Sequence, residues 1–322
     1  MFNSWFHTKR IVVVMAMLFT TVLGSACSSQ QGSEVVAISA NSETTTTTEV
    51  VLETTTTTEA ESLDEPSTPD YPQAIISLSA TATEILFAIG AGDQVIAVDE
   101  YSTYPVEAPM TDLSGFTPNV EAIAEYGPDL VVISYDPGDL VAGLELLDIE
   151  VLIQGTASSL EGTYSQISEL GEKTGHSETA EELNESIVSD LASLAEDPVG
   201  AGLTYFHEVD NTLYTATSST FIGQLYAFLG LENIADPADD QGFGYPQLSP
   251  EYIISANPDL IFLADAEWGE SVETLAERPG WAELTAVQNN RVVELDETSG
   301  RWGPRVVDFL TQIHTAITDL MN

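Results

Sequence analysis

The sequence predicts an α/β fold of two similar lobes joined by one long helix, with a cleft between the lobes. Three observations predict it. From residue 71 onward, short apolar runs alternate with helical periodicity. One segment recurs at a fixed offset of 130 residues. An amphipathic stretch of 20 residues, 177–196, lies between the two copies. Alternation of strand and helix argues a mostly parallel sheet covered on both faces.

The elements follow in order. Residues 74–78 (AIISL) read as a buried strand, and 84–89 (EILFAI) as a helix stopped by Gly90. Residues 94–98 (QVIAV) form a second strand. A short helix spans 119–126 and breaks at Gly127-Pro128, before a strand at 130–134 (LVVIS). Residues 140–147 are helical, and 151–153 are a strand. In 177–196, Ala180, Leu183, Ile187, Leu191 and Leu194 recur at steps of three and four. A helix of that length is about 30 Å long, which suits a strut between lobes.

The duplication is gapless where it is clearest. NVEAIAEYGPDLVVIS (119–134) aligns with SPEYIISANPDLIFLA (249–264), pairing Glu121 with Glu251 and Pro128-Asp129-Leu130 with Pro258-Asp259-Leu260. Ahead of it, EILFAIG (84–90) matches QLYAFLG (224–230). Each of these helices follows a turn rich in Ser and Thr, at 79–83 and 217–220. Pro-Asp-Leu alone is common turn chemistry, but two matches in one order argue a repeated unit. The expected domains are lobes at 71–157 and 199–322, with a lobe helix and the bridging helix at 158–198.

The first 70 residues are of another kind. Lys9-Arg10, an apolar run (11–23) and small residues Gly24-Ser25-Ala26 precede Cys27, the single cysteine. That pattern reads as a secretory signal over 1–26. It resembles a bacterial lipoprotein signal, although Gly24 stands where Leu is usual. The resemblance implies lipidation of Cys27 and a protein tethered outside the cell membrane or in the periplasm. Residues 27–70 contain ETTTTTE twice, nine acids and no Lys or Arg. A segment so polar and one-signed reads as a disordered linker.

Charge excludes several functions. The chain has 52 acids against 7 Lys and Arg, a net charge of −45. Such a surface repels phosphate backbones, so nucleic acid is not expected as a partner. A lone Cys excludes a disulfide framework. No G-x-S-x-G or H-E-x-x-H occurs, so a hydrolase is a remote alternative and no enzyme activity is expected. His176, His207 and His314 are not expected to converge, which leaves direct metal capture unsupported. No cofactor is expected, and a monomer is.

The stretches IISLSATATEILFAIGAGDQVIAV, SGFTPNVEAIAEYGPDLVV, TLYTATSSTFIGQLYAFLGLENIAD, GYPQLSPEYIISANPDLI, RPGWAELTAVQNNRVVEL and GRWGPRVVDFL carry a family resemblance. They resemble the solute-binding proteins of ABC importers for cobalamin, haem and iron–siderophore complexes. The resemblance implies two Rossmann-like lobes, one bridging helix and small hinge motion. It implies that Glu121 and Glu251 dock on arginines of the importer permease. The residues agree, since each acid sits in the first turn of a short helix, away from the apolar face. Acids also favour that position through the helix dipole.

Pocket residues are expected on loops after strand C-termini. On the first lobe these are Thr81, Thr83, Tyr101, Phe116 and Tyr135. On the second they are Tyr214, Phe221, Tyr245, Trp268, Arg301 and Trp302. Flat, rigid rings suit a large planar or macrocyclic ligand. The resemblance places aromatic ligand contacts at Tyr101, Phe116 and Tyr245. Beyond the signal only Lys173, Arg278, Arg291, Arg301 and Arg305 are cationic. Arg278 and Arg291 look structural, Arg305 lies beneath the pocket, and Arg301 is the cleft candidate. A strongly anionic ligand then has little to neutralise it. Cobalamin is the expected ligand, with a ferric hydroxamate siderophore or haem as the alternative.

Overall fold

The computed structural model describes residues 71–321; the signal, the tether and Cys27 lie outside the described residues. Lobe 1 contains β1 (Ile75–Leu78), α1 (Ala80–Ala88), β2 (Val95–Val98), α2 (Val120–Ala124), β3 (Leu130–Ile133), α3 (Leu140–Glu145) and β4 (Glu150–Ile153). Two helices follow, α4 (Leu160–Thr174) and α5 (Ser177–Ala195). Lobe 2 contains β5 (Thr204–Glu208), α6 (Phe221–Phe228), β6 (Glu232–Asn233), α7 (Pro250–Ala256) and β7 (Leu260–Leu263). It ends with α8 (Val272–Glu277), α9 (Thr285–Gln288), β8 (Val292–Glu294) and α10 (Val306–Met321).

Both sheets are parallel and have the same order, β2-β1-β3-β4 and β6-β5-β7-β8. The repeated sequence explains the shared order. Asp129 and Asp259 precede the third strand of each sheet. The Asp129 carboxylate accepts from the amides of Gln73 (2.8 Å) and Ala74 (3.0 Å). The Asp259 carboxylate accepts from the Thr204 amide and hydroxyl, both at 2.9 Å. In return the Asp129 and Asp259 amides donate to the carbonyls of Ala74 and Thr204, each at 3.0 Å. The Pro-Asp-Leu motif is thus a clamp that seats the first strand beside the third. Ahead of it, Gly127 (φ 65°) and Asn257 (φ 47°) end their helices in the left-handed region, which Gly and Asn tolerate best.

Strand alternation divides the core into three. Ile76, Leu78, Val131 and Ile133 face an outer cluster of lobe 1. Phe206, Ile261 and Leu263 face an outer cluster of lobe 2 around Trp281. The opposite faces, with Ile75, Leu130 and Val132 from one sheet and Tyr205, Leu260 and Phe262 from the other, belong to a single cluster. That cluster runs through Ile167 and Leu170 of α4, Ile187 and Leu191 of α5, and Phe309 and Ile313 of α10. The expected bridging helix is α5, and it packs along α4 as a helical hairpin closed by Gly175 (φ 81°). Gly171 permits that approach, because a Cβ there would stand 2.5 Å from the Ala180 Cβ.

The two clamps differ in a testable way. Asp129 uses both oxygens as acceptors, whereas Asp259 uses one. Asp129→Asn must turn an amide N–H toward a backbone N–H; Asp259→Asn can keep its oxygen on Thr204. Urea unfolding is expected to show Asp129→Asn costing about 1–3 kcal/mol and Asp259→Asn costing less. The reverse order would refute the clamp geometry.

Candidate functional site

In both sheets the chain order reverses between the first and third strands, so a crevice opens at their carboxyl ends. Segments from these two edges touch. Gln224 of α6 donates through Nε2 to the Ser158 carbonyl at 3.1 Å. Gly303 lies against Thr81, since a Cβ there would come 3.1 Å from the Thr81 Cγ2. The Glu84 carboxylate meets Arg301 and Arg305 across the seam.

Lobe 1 supplies an aromatic group. Tyr101 and Phe116 pack edge to face with ring centroids 5.1 Å apart, and Phe116 lies 6.4 Å from Tyr135. These rings are 47%, 52% and 43% exposed, so large apolar faces are open to solvent. A buried polar chain holds their loops. Asp99, just past β2, accepts from the Ser102 hydroxyl at 2.6 Å. The Ser102 hydroxyl lies 3.0 Å from that of Thr83, which donates to Ser77 at 2.8 Å. Burial pushes the Asp99 carboxyl up, and hydrogen bonds from Ser102 and the backbone of Tyr101 and Gly115 oppose it. Gly115 is required for close approach: a Cβ there would stand 2.5 Å from the Leu78 carbonyl oxygen and 3.0 Å from Asp99 Oδ2.

Lobe 2 presents its rings differently. Residues 213–217 and 244–248 pair as a short ribbon: Thr215 donates to the Pro246 carbonyl, Leu248 to Leu213, and Thr217 to Gly244. The ribbon carries Tyr214 and Tyr245, both exposed. Trp268, 79% exposed, stands on a single helical turn after β7. Beneath that turn lies a charged cluster. Arg278 donates to both oxygens of buried Glu208 (2.7 and 2.6 Å) and to Glu270 (2.7 Å), with its guanidinium over Trp281. Asp265 is also buried, and its carboxyl oxygens have no side-chain partner among the described residues. Burial and the neighbouring Glu208 push its pKa up to about 7.

Several expected pocket residues are placed otherwise. Thr81 and Thr83 are not in an open turn; Ser79 caps α1 from Ala80, so both threonines lie inside the helix and are buried. The hydroxyl of Thr83 is spent on Ser77 and Ser102. Arg301 is drawn to Glu84, 3.3 Å away, rather than projecting freely. Trp302 is tied to α4, donating from Nε1 to Gln166 (3.1 Å) and accepting at its carbonyl from Thr163 (2.7 Å). Phe221 opens α6 and packs against the shared core. Sequence reasoning missed Phe243, 77% exposed in the loop before Tyr245, and the supporting roles of Asp99 and Glu84. An acid placed directly after a strand and beside Tyr101 was the available signal for Asp99.

His207 is fully buried, bonds the Tyr226 hydroxyl at 2.9 Å through Nδ1, and is held down to about pKa 4 by burial. It is a core residue. Among the described residues no three His, Cys, Asp or Glu side chains are grouped to hold a metal ion. No helix among them is long and apolar enough to cross a membrane.

Comparison with known proteins agrees with this architecture. A family model for periplasmic binding proteins matches residues 75–298. An ABC transporter substrate-binding lipoprotein of Bacillus subtilis, itself uncharacterised, is 31% identical over 76% of this chain and 80% of its own length. The vitamin B12-binding protein of Vibrio cholerae is 28% identical over 76% of this chain and 88% of its own. The crystal structure of a periplasmic vitamin B12 binding protein of Vibrio cholerae superposes with a TM-score of 0.60 at 26% identity, covering 78% of this chain and 98% of that one. The chain belongs to the periplasmic binding protein family. It is a solute-binding protein of the kind that serves ABC importers outside the cytoplasm, and the members of this family are not enzymes.

The state of Asp265 has a measurable consequence. Its folded pKa, about 7, lies above the ordinary value of 3.8, so the fold favours the protonated acid. The stability this carries is present below 3.8 and is lost as pH rises through about 7. Asp265→Asn is expected to raise the thermal midpoint relative to the parent at pH 8, by clearly more than at pH 5, and to change it little only near pH 3.5. Equal shifts at pH 8 and pH 5 would show that Asp265 is not protonated in the fold.

Proposed function

We propose that this protein captures a cobalamin-type corrinoid between its lobes and delivers it to an ABC importer permease. The observation that carries the reading is a set of exposed rings on loops of both lobes, with four of the five Lys and Arg already paired to acids. Tyr101, Phe116 and Tyr135 on lobe 1, and Tyr214, Tyr245 and Trp268 on lobe 2, offer broad apolar faces with hydroxyls at their margins. Of the five cations among the described residues, Lys173 pairs with Glu150, Arg278 with Glu208 and Glu270, and Arg301 and Arg305 with Glu84. Arg291 directly precedes β8 and therefore lies at the opposite edge of the sheet from the crevice. A large, weakly charged macrocycle fits this surface better than a polyanionic chelate. The vitamin B12-binding relatives support the same choice.

Glu121 and Glu251 are proposed as the permease contacts. Both are exposed in the first turn of equivalent short helices, α2 capped by Asn119 and α7 capped by Ser249. Two equivalent acids, one per lobe, suit a permease of two-fold symmetry that presents a basic side chain to each. Cys27 is proposed as the lipid attachment, supported by its position after an apolar signal and by the lipoprotein relative.

Titration with cyanocobalamin, haem and a ferric trihydroxamate, followed by desalting and visible spectra, tests the ligand. Cobalamin is expected to be retained with sub-micromolar Kd. Retention of a ferric complex or haem in its place would overturn the choice. Tyr101→Ala is expected to weaken binding by about 10–100-fold, the range of a buried aromatic anchor. Glu121→Lys with Glu251→Lys is expected to abolish uptake in cells at unchanged ligand affinity; a large affinity loss would place these acids in the pocket instead.

A further inference from the structure

We infer that Glu84 is a positioning residue: it ties the second lobe to the first and, through Arg305 and Tyr104, sets the loop that presents Tyr101 to ligand. Glu84 is 3% exposed on α1 of lobe 1. Its carboxylate accepts from Arg305 Nε at 3.0 Å and from Arg305 Nη2 at 2.5 Å, one bond to each oxygen. Arg301 Nε lies 3.3 Å away as a second ion pair, without hydrogen-bond geometry. Both arginines belong to the segment that leads from β8 into α10 in lobe 2. The bond therefore joins residues 221 positions apart and crosses the seam between lobes.

The tie does not end at the carboxylate. The Arg305 guanidinium sits 4.3 Å from the centroid of the Tyr104 ring, a cation–π contact on the loop that carries Tyr101. The other end of that loop is held by Asp99 and Ser102, which reach Thr83. Thr83 and Glu84 are consecutive on α1, so one helix turn governs both ends of the loop. Residues between the arginines reinforce the arrangement. Trp302 is bonded to Thr163 and Gln166 of α4, and Gly303 lies against Thr81 where a side chain would crowd it. A bidentate carboxylate–guanidinium pair with little water around it has strict geometry and does not slide. Loss of Glu84 would remove the acid that both half-buried arginines share, which loosens the segment from lobe 1. The crevice would widen and Tyr101 would lose its fixed place.

The ligand arm of this inference rests on the cobalamin reading; the lobe arm does not. In the full chain with Cys27→Ser, Leu146→Cys and Ala276→Cys place nitroxide labels on exposed positions of the two lobes. Electron–electron resonance on ligand-free protein then reads the distance between lobes. Glu84→Gln is expected to lengthen and broaden that distance. In the unlabelled full chain it is expected to raise the cyanocobalamin dissociation rate about tenfold while the association rate changes less, the usual division when a formed complex is loosened. Arg305→Lys keeps the charge, loses the paired fork, and is expected to give a smaller change of the same kind. It also decides the matter should Glu84→Gln fail to fold. Unchanged distance and unchanged dissociation in a folded variant would overturn the inference. Failure of the parent protein to bind cyanocobalamin would sink the cobalamin reading alone, and the ligand-free distances would still decide whether Glu84 ties the lobes.

Discussion

The rest of the molecule depends on one continuous apolar core that runs from the first sheet, through α4, α5 and α10, to the second. Two lobes joined only by a linker would rotate freely. Here Ile167, Leu170, Ile187, Leu191 and Phe309 are shared by both, and each buried side chain of that size contributes about 1.5–3 kcal/mol. Opening the lobes widely would expose that surface to water. The shared core therefore opposes wide separation of the lobes.

Charge is arranged under the same constraint. The chain carries 52 acids, and three of the five Lys and Arg among the described residues are spent on buried glutamates. Arg278 neutralises Glu208 under the Trp268 turn, and Arg305 neutralises Glu84 at the seam. Each pair holds a segment that carries a ring of the crevice. Asp99 and Asp265 are buried acids without a cation, and burial pushes both carboxyls up, that of Asp265 to about 7. What remains at the crevice is an aromatic surface with little free positive charge.

The two-lobed α/β plan and most strands and helices were legible because strand and helix periodicities are local and the repeat is direct. Asp129 and Asp259 could be read as a repeated turn, and the structure makes each a clamp on a strand 55 residues away. Tyr101, Phe116, Tyr135, Tyr214, Tyr245 and Trp268 lie on exposed loops, as residue type and position suggested. Thr81, Thr83, Arg301, Trp302 and Phe221 do not, and one cause is common to them. Each is claimed by a partner distant in sequence or by the packed core, such as Glu84 for Arg301 and α4 for Trp302.

By itself the sequence determined the elements, their duplication, the family and the scarcity of positive charge, since these follow from local pattern and composition. Only the tertiary structure decided which faces of the two sheets share a core and which of the expected pocket side chains are exposed or buried. It also decided that the best cationic candidate for ligand contact is drawn into an ion pair between the lobes. The physical reason is that an arginine is exposed or spent according to whether a carboxylate stands within bonding distance. For Arg305 and Glu84 that distance is set across 221 residues of chain by the packing of helices around one core.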